Sequence, residues 1–265
     1  MTPIAVTIAG SDSSGGAGIQ ADLKTFSALD VYGACVITAL TAQNTRGVSA
    51  IHDVPADFIT AQIDALFSDL KVNAVKIGML SVPAAIEAVA AGLDRWKQSL
   101  VVLDPVMVAT SGDRLLAPEA IEVLKRELFP RALVITPNLA EAAALLDAPL
   151  AQSEDEMRAQ AERLLGLGAN AVLIKGGHAG GTLSIDLLVT REAVARLIAL
   201  RFETKNTHGT GCTLSAAIAA GLAKGRRLAE AAAEAKDYVT SAIGAADQLD
   251  IGQGHGPVHH FHAWW

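Results

Sequence analysis

The chain has 265 residues, of which 51% are hydrophobic and 18% are charged, and its formal net charge is -7. This composition supplies a large apolar core and argues against a disordered chain. The acidic balance also argues against a surface for nucleic acid or for an anionic membrane, since both need an excess of Lys and Arg.

Short apolar runs alternate with longer helical patterns along the whole chain. Buried strands are predicted at residues 4–9, 35–39, 74–77, 101–103, 133–135 and 171–174. Helices are predicted from the apolar stripe of Ile19, Leu23, Phe26 and Leu29 and then at residues 55–67, 83–96, 118–129, 154–167, 211–223 and 228–246. Residues 183–189 and 196–202 are typical of a late antiparallel pair or of edge strands. The pattern predicts one α/β domain over residues 1–265, with a mostly parallel sheet covered on both faces.

Cysteine usage and hydropathy bear on where the protein works. Cys35 and Cys212 are far apart in the sequence and form no metal-ligand pattern, so we expect no disulfide framework and a cytoplasmic location. The chain opens without a basic segment ahead of an apolar run, and no stretch reaches the ~18 apolar residues that a spanning helix needs. We therefore expect a soluble protein without a membrane partner.

Polar side chains follow three of the predicted strands. Asp104 follows strand 101–103, Asn138 comes shortly after strand 133–135, and Lys175 follows strand 171–174. Because the carboxyl ends of parallel strands form the ligand crevice of an open sheet, these three side chains should converge. The alternative is that every strand must leave the core at a polar residue, which accounts for most such cases.

A glycine-rich segment, residues 10–18, lies between the first predicted strand and the first helix. Its four glycines let the backbone approach a ligand closely or adopt positive φ. The segment matches neither the dinucleotide-binding fingerprint nor the phosphate-binding loop that ends in Gly-Lys-Ser/Thr. It is equally well explained as a tight turn followed by a helix cap.

A second glycine-containing loop, residues 206–213, leads into an Ala-rich helix. Gly209 and Gly211 permit inward-pointing N–H groups, and a helix N-terminus adds partial positive charge, so the loop suits developing phosphoryl charge. Cys212 lies at that N-terminus, where a thiol pKa is lowered, and is either a base or substrate contact or a small buried apolar residue. His208 contacts phosphate or simply caps the loop.

Three further features are weaker. Lys175 precedes Gly176, Gly177 and His178, as in a phosphate clamp. Asn138 and Glu141 lie one helical turn apart and would hold either hydrated magnesium or only a helix cap with a first-turn acid. The C-terminal histidines suggest a surface tail or fortuitous metal binding, without the spacing of a zinc site. These are His255, His259, His260 and His262.

Together these segments make the chain resemble the hydroxymethylpyrimidine and phosphomethylpyrimidine kinases of thiamine biosynthesis. The resemblance is carried by residues 7–12, 15–26, 41–45, 76–80, 104–107, 136–138, 175–178, 208–212 and 256–262. It implies a ribokinase-like three-layer α/β/α sandwich, ATP and Mg²⁺ as cofactors, and a homodimer. The implied reaction phosphorylates 4-amino-5-hydroxymethyl-2-methylpyrimidine to its monophosphate and then to its pyrophosphate.

The resemblance also implies roles for individual residues. It places catalysis on Lys175, Gly209, Gly211 and Cys212, with Cys212 at the position where the wider superfamily has a basic aspartate. The implied pyrimidine pocket is Gly10, Ala17, Asp22, Gln43, Met79 and Val106. The implied nucleotide contacts are Asn138, Lys175, His208 and Thr210. The implied metal ligands are Asp104 and Glu141.

Two other functions are open to the same sequence. A pyridoxal kinase of this fold would also phosphorylate a hydroxymethyl group on a nitrogen heteroaromatic ring, although Gln43 and Met79 favour the pyrimidine. A pyrimidine-binding protein without catalysis is the third possibility. The complete set of Asp104, Lys175 and loop 209–212 argues against it.

Overall fold

The structure is a computed structural model that describes residues 2–107, 115–177 and 181–265, so His178 lies outside the described part. Its strands are β1 (Ile4–Ala9), β2 (Tyr32–Ile37), β3 (Ala39–Asn44), β4 (Gly47–Asp53), β5 (Ala74–Ile77), β6 (Val101–Leu103), β7 (Val134–Ile135), β8 (Ala171–Lys175), β9 (Leu183–Thr190) and β10 (Val194–Leu200). Its α-helices are α1 (Gly18–Ala28), α2 (Ala56–Phe67), α3 (Pro83–Arg95), α4 (Pro118–Leu128), α5 (Leu139–Leu146), α6 (Glu154–Gly166), α7 (Thr210–Ala223) and α8 (Leu228–Gly244).

The main sheet has the strand order β10-β9-β8-β7-β6-β5-β1-β2. The six strands from β8 to β2 pair in parallel, whereas β9 and β10 are antiparallel at one edge. The predicted parallel sheet with a late antiparallel pair is therefore confirmed. Parallel strands need crossover connections, and the helices between them provide these.

Successive side chains along the strands point to opposite faces of the sheet and contribute to two apolar layers. Val6 and Ile8 of β1 point into one layer, which α2, α3, α4 and α6 cover. Ala5 points into the other, which α1, α7 and α8 cover. α7 is buried along most of its length, and its alanines allow close packing against the sheet. The helix–sheet–helix layers confirm the predicted sandwich.

A hairpin outside the main sheet differs from the predicted elements. The predicted strand at residues 35–39 combines the end of β2 with the start of β3, because the apolar run continues past Thr38, where the two strands separate. Thr38 is fully buried, and its hydroxyl donates to the Met79 carbonyl at 2.8 Å. β3 and β4 then form their own antiparallel pair with a register shift between Ala42 and Gln43. Among the described residues, no helix is long and apolar enough to cross a membrane.

Candidate active site

The carboxyl ends of β6, β7 and β8 bring the three predicted polar residues together. Lys175 Nζ lies 2.8 Å from Asp104 Oδ1, and the backbones of Asn138 and Lys175 form an isolated parallel bridge. Asp104 also accepts hydrogen bonds from the hydroxyls of Thr136 at 2.9 Å and Ser215 at 3.3 Å. The convergence predicted from the strand order is confirmed, and it forms one wall of a cavity of about 510 Å³.

The N-terminus of α7 faces this wall. Gly209, the N-cap, has φ +78°, and a Cβ there would lie 1.9 Å from the Gly16 carbonyl oxygen, so the position requires glycine. A Cβ at Gly211 would lie 3.2 Å from Lys175 Nζ. The first N–H groups of a helix lack intrahelical partners. The loop therefore aims helix N–H groups and the Lys175 ammonium at the same part of the cavity, as anion binding requires.

The glycine-rich segment 10–18 is held against the α7 loop by a buried Asp12–His208 pair. Asp12 Oδ2 lies 2.8 Å from His208 Nε2 and accepts the N–H groups of Gly16 at 3.0 Å and Ala17 at 2.8 Å. Burial opposes the charged form, but hydrogen bonds from His208 and Ser14 outweigh it and hold the pKa of Asp12 well below its usual range. The segment thus binds an internal carboxylate through its own N–H groups.

The predicted pyrimidine residues line one end of the cavity. Gly10, Ala17, Gln43, Met79 and Val106 all lie on its surface. Gln43 Oε1 accepts a hydrogen bond from the Thr41 hydroxyl at 3.1 Å, and Gln43 Nε2 lies 3.5 Å from His208 Nε2. His208 is therefore beside Gln43, at this end of the cavity, as well as at the start of the α7 loop.

Asp22 does not line the cavity but lies beneath it. It is fully buried, with Oδ2 2.8 Å from Lys76 Nζ and 2.6 Å from the Thr7 hydroxyl. Lys76 lies at the cavity floor. Burial favours its neutral amine, but the charges of Asp22 and Asp104 outweigh burial and hold the pKa of Lys76 above its usual value. Asp22 therefore keeps Lys76 protonated beneath the site.

The expected lowering of the Cys212 pKa is wrong. Burial raises the pKa of the thiol to about 11, although Lys76 opposes the rise, and the charges of Asp22 and Asp104 add to it. A helix N-terminus lowers a thiol pKa where water solvates the thiolate, whereas here Cys212 is half-buried at the cavity surface and the surrounding protein removes part of that solvation. Cys212 is a neutral thiol at neutral pH.

Two carboxylates meet beside Lys175. Its Nζ is 2.8 Å from Asp104 Oδ1 and 3.9 Å from Glu141 Oε2. Asn138 and Glu141 form a reciprocal capping box at the start of α5, as the alternative interpretation predicted. Burial raises the pKa of Glu141 to about 7, and Lys175 opposes that rise. Two adjacent carboxylates near an anion site fit Mg²⁺, which takes one or two carboxylates together with phosphate oxygens.

The other end of the cavity has apolar side chains on its wall and was not predicted. Leu200, Phe202, Val239 and Ile243 line it. A buried Lys236–Asp186 ion pair of 2.7 Å also lies there. The sequence pattern gave little indication of these residues, because they lie on or near the edge strands and on α8, and no recognisable motif covers those elements.

Lys76 and two of the C-terminal histidines are buried although they are polar. Lys76 interrupts an otherwise apolar strand, and a charge in such a strand needs a buried partner. The C-terminal histidines were expected on the surface, yet His259 is 2% exposed and His260 is 4% exposed. In the described part of the chain, no group of three His, Cys, Asp or Glu residues is arranged to hold a metal ion.

Comparison with known proteins agrees with this geometry. The sequence profile of the phosphomethylpyrimidine kinase family matches residues 12–259. The chain is 63% identical over its whole length to a hydroxymethylpyrimidine/phosphomethylpyrimidine kinase of Rhizobium meliloti, with 99% of that protein covered. It is 56% identical to an enzyme of the same name from Escherichia coli, with 98% of each chain covered. The ADP complex of Bacillus subtilis pyridoxal kinase superposes with a TM-score of 0.91 at 38% identity, covering 99% of each chain.

Proposed function

The chain belongs to the phosphomethylpyrimidine kinase family, and we propose that it phosphorylates a hydroxymethyl aminopyrimidine and then the resulting monophosphate, with ATP as donor. The observation that carries the proposal is the anion site of the α7 N-terminus and Lys175, which lies between a Gln43-lined end and an apolar end of one cavity. The product would be the pyrimidine pyrophosphate used in thiamine biosynthesis.

The proposed binding mode follows from the two ends of the cavity. Gln43 has a donor and an acceptor on one amide, which complement the amino group and ring nitrogen of an aminopyrimidine. The apolar end, with Phe202, Val239 and Ile243, suits the faces of a nucleotide base. This arrangement directs the hydroxymethyl group and the γ-phosphate towards Gly209, Gly211 and Lys175. Thr210 and Asn138 would contact the phosphates nearby.

Magnesium is part of the proposal. Asp104 and Glu141 would hold it, directly or through water, and when bound it would neutralise charge on the phosphates. Lys175 lies between the two carboxylates and would screen charge on the transferred phosphoryl group. The reaction requires positioning and charge stabilisation more than covalent chemistry by the protein, which suits a site built of backbone N–H groups and fixed charges.

A pyridoxal kinase activity is the second candidate, favoured by the superposition on Bacillus subtilis pyridoxal kinase. Both substrates carry a hydroxymethyl group on a heteroaromatic ring. The position of Gln43, with its amide oriented by Thr41, favours the aminopyrimidine, because the amide matches an adjacent donor and acceptor.

One assay tests these assignments. ATP turnover with Mg²⁺ is measured on the pyrimidine alcohol, the pyrimidine monophosphate and pyridoxal, with products identified by mass spectrometry. We expect kcat/KM to be highest for the pyrimidine substrates. A preference for pyridoxal would reverse the two candidates, and the absence of turnover with all three would refute the kinase.

Three wider expectations belong to the same proposal: a single domain over residues 1–265, a cytoplasmic location and a homodimer. The homodimer is supported by the β3–β4 hairpin, since Leu40, which is 48% exposed, shares one face of it with the exposed Ala50, and an isolated two-stranded hairpin is marginally stable. A second copy of the chain would cover this surface. Fractionation of cells and limited proteolysis test the other two expectations.

A further inference from the structure

The C-terminal segment at residues 252–260, here called the C-terminal strap, spans two parts of the cavity wall that are far apart in sequence. It runs from the tip of the β3–β4 hairpin to the loop that precedes α7. Residues 256–260 are buried, although the sequence pattern is that of a polar tail. No residue of the strap lines the cavity itself.

Backbone hydrogen bonds join the strap to the hairpin tip. The N–H of His255 donates to the Thr45 carbonyl at 2.8 Å, and the N–H of Gly254 donates to the Thr45 hydroxyl at 3.1 Å. The Arg46 guanidinium donates to the Gln253 side chain. A Cβ at Gly254 would lie 2.0 Å from the Thr45 carbonyl oxygen, so the strap approaches the tip as closely as glycine allows.

The same strap pairs with the loop before α7. The N–H of Gly256 donates to the Asn206 side chain at 3.1 Å, and the N–H of His208 donates to the Gly256 carbonyl at 3.0 Å. His208 and Pro257 form an isolated parallel bridge. A Cβ at Gly256 would lie 2.4 Å from Asn206 Oδ1, so a side chain there would displace the Asn206 amide that accepts this hydrogen bond.

The far end of the strap is anchored on the body of the protein. The N–H of His259 donates to the Ala242 carbonyl in α8 at 3.0 Å, and the Tyr238 hydroxyl donates to the His260 carbonyl at 2.7 Å. His260 Nε2 lies 3.1 Å from the Thr213 hydroxyl in the first turn of α7. The strap is therefore tied to the helix that carries the anion site.

Gln43 lies between the two parts that the strap joins. Thr45 is two residues beyond it in the hairpin, and His208 Nε2 is 3.5 Å from Gln43 Nε2. We propose that the C-terminal strap is a positioning element for Gln43, which sets the distance between the hairpin tip and the α7 loop and thereby the affinity for the pyrimidine. The proposal rests on the proposed function, because it takes Gln43 as the pyrimidine-recognising residue.

The test uses the full-length enzyme and two strap variants. Gly254→Ala forces the strap and Thr45 apart, and Thr45→Val removes only the hydroxyl acceptor. We expect the KM for the pyrimidine alcohol to rise roughly tenfold in Gly254→Ala and less in Thr45→Val, the scale of one hydrogen bond. The KM for ATP should change little. Thr45→Ser keeps the hydroxyl that accepts from Gly254, so its KM for the pyrimidine alcohol should equal that of the wild type.

A matched control separates positioning from stability. Gly92→Ala crowds Ile63 Cδ1 at 2.9 Å, on the far face of the sheet, and should lower the melting temperature without changing either KM. If Gly254→Ala does not fold, Thr45→Val carries the test. Folded strap variants that lose stability but keep the wild-type pyrimidine KM would overturn the proposal.

A second readout needs no substrate. Amide hydrogen exchange of residues 41–46 should quicken in Gly254→Ala and remain unchanged in Gly92→Ala. Unchanged exchange of residues 41–46 in Gly254→Ala would refute the proposal that the strap positions the hairpin, even if the variant is active. If the wild-type enzyme failed to phosphorylate the pyrimidine, the proposed function would fail, whereas the exchange result would still decide whether the strap positions the hairpin.

Discussion

At the scale of single residues, burial and fixed charge decide the protonation states of the site. Cys212 is at a helix N-terminus, yet burial raises the pKa of its thiol to about 11. Glu141 is a first-turn acid, yet burial raises its pKa to about 7. In both groups the loss of hydration outweighs the favourable charge nearby, Lys76 for Cys212 and Lys175 for Glu141.

Cys212→Ala should slow both proposed phosphorylations by similar factors. A protonated thiol cannot accept the proton of the pyrimidine alcohol, so its contribution would be the shape of the anion site, which both steps use. The monophosphate, with a second pKa of about 6, is already largely an anion at neutral pH and needs no base. Single-turnover rates begun separately from the alcohol and from the monophosphate measure the two losses.

A loss confined to the first step would give the opposite conclusion. It would mean that bound substrates lower the pKa of Cys212 enough for it to act as a general base. Cys35→Ala is the matched control, because Cys35 is the other cysteine of the chain and does not line the cavity, so both rates should stay at the wild-type value.

Glu141 makes the stability of the protein depend on pH. The folded pKa of Glu141, about 7, exceeds the unfolded value near 4.5, so the folded state binds its proton more tightly. The stabilisation that this gives the folded state is fully present below about pH 4.5 and is lost as pH rises through 7. A pKa difference of one between the folded and unfolded states corresponds to about 1.4 kcal/mol of unfolding free energy. Glu141→Gln keeps an oxygen for the Asn138 N–H, so it should become more stable relative to wild type between pH 5 and pH 8.

Chemical denaturation at the two pH values measures this difference. Glu122→Gln is a suitable control, since the Glu122 side chain is 76% exposed, and should show no comparable change. Mg²⁺ alone, added at pH 8, should stabilise wild type more than Glu141→Gln if Glu141 helps to hold the ion. An unchanged pH profile in Glu141→Gln would contradict the raised pKa.

At the scale of elements, two loops that approach each other form the site. Gly209 at the start of α7 meets the Gly16 carbonyl, and the Asp12–His208 pair joins the same two loops a few residues away. Neither loop contains a complete phosphate-binding motif. The anion site forms only where the two loops are in contact, so neither segment is sufficient to predict it.

Gly209→Ala should therefore disable the enzyme as well as destabilise it. The substitution strains a backbone at φ +78° and drives a Cβ into the Gly16 carbonyl, so we expect a loss of about 1–3 kcal/mol of unfolding free energy and a large fall in kcat. Gly225→Ala is the matched control, with φ +83° and no atom within 4 Å of the added Cβ. It should lose stability but keep its activity per folded molecule.

At the scale of the whole molecule, the hairpin stands apart from the main sheet. Residues 49–53 of β4 are exposed, and the hairpin lies outside the main sheet. The glycine-rich segment holds it on the cavity side, where the Ser13 hydroxyl donates to the Gln43 carbonyl at 2.7 Å. The strap holds its tip, and its outer surface is open to a second copy of the chain.

Replacing the exposed apolar side chains of the hairpin should weaken the proposed homodimer. Leu40→Asp with Ala50→Asp places charge on one face of the hairpin, and we expect the mass measured by light scattering to fall from two chains towards one. Leu200→Asp, at another exposed apolar residue, is the control and should leave the mass at two chains. Its activity is not compared, because Leu200 lines the cavity. A wild-type monomer, or a dimer that the hairpin variant leaves intact, would contradict this interface.

Much of the fold and the centre of the site can be predicted from the sequence alone. Alternating strands and helices determined the layered sheet, and the residues after β6, β7 and β8 determined the meeting of Asp104, Asn138 and Lys175, because parallel strands end at one edge. These inferences need only local patterns and the direction of the chain.

Only the tertiary structure decided the rest. The Asp12–His208 pair and the contact of Thr45 with His255 join segments about 200 residues apart, and no local pattern encodes such contacts. The protonation of Cys212 depends on how completely other segments bury it, and the lysine that opposes this burial comes from β5. Local sequence determines which groups are available, whereas long-range packing determines their solvation and their neighbours.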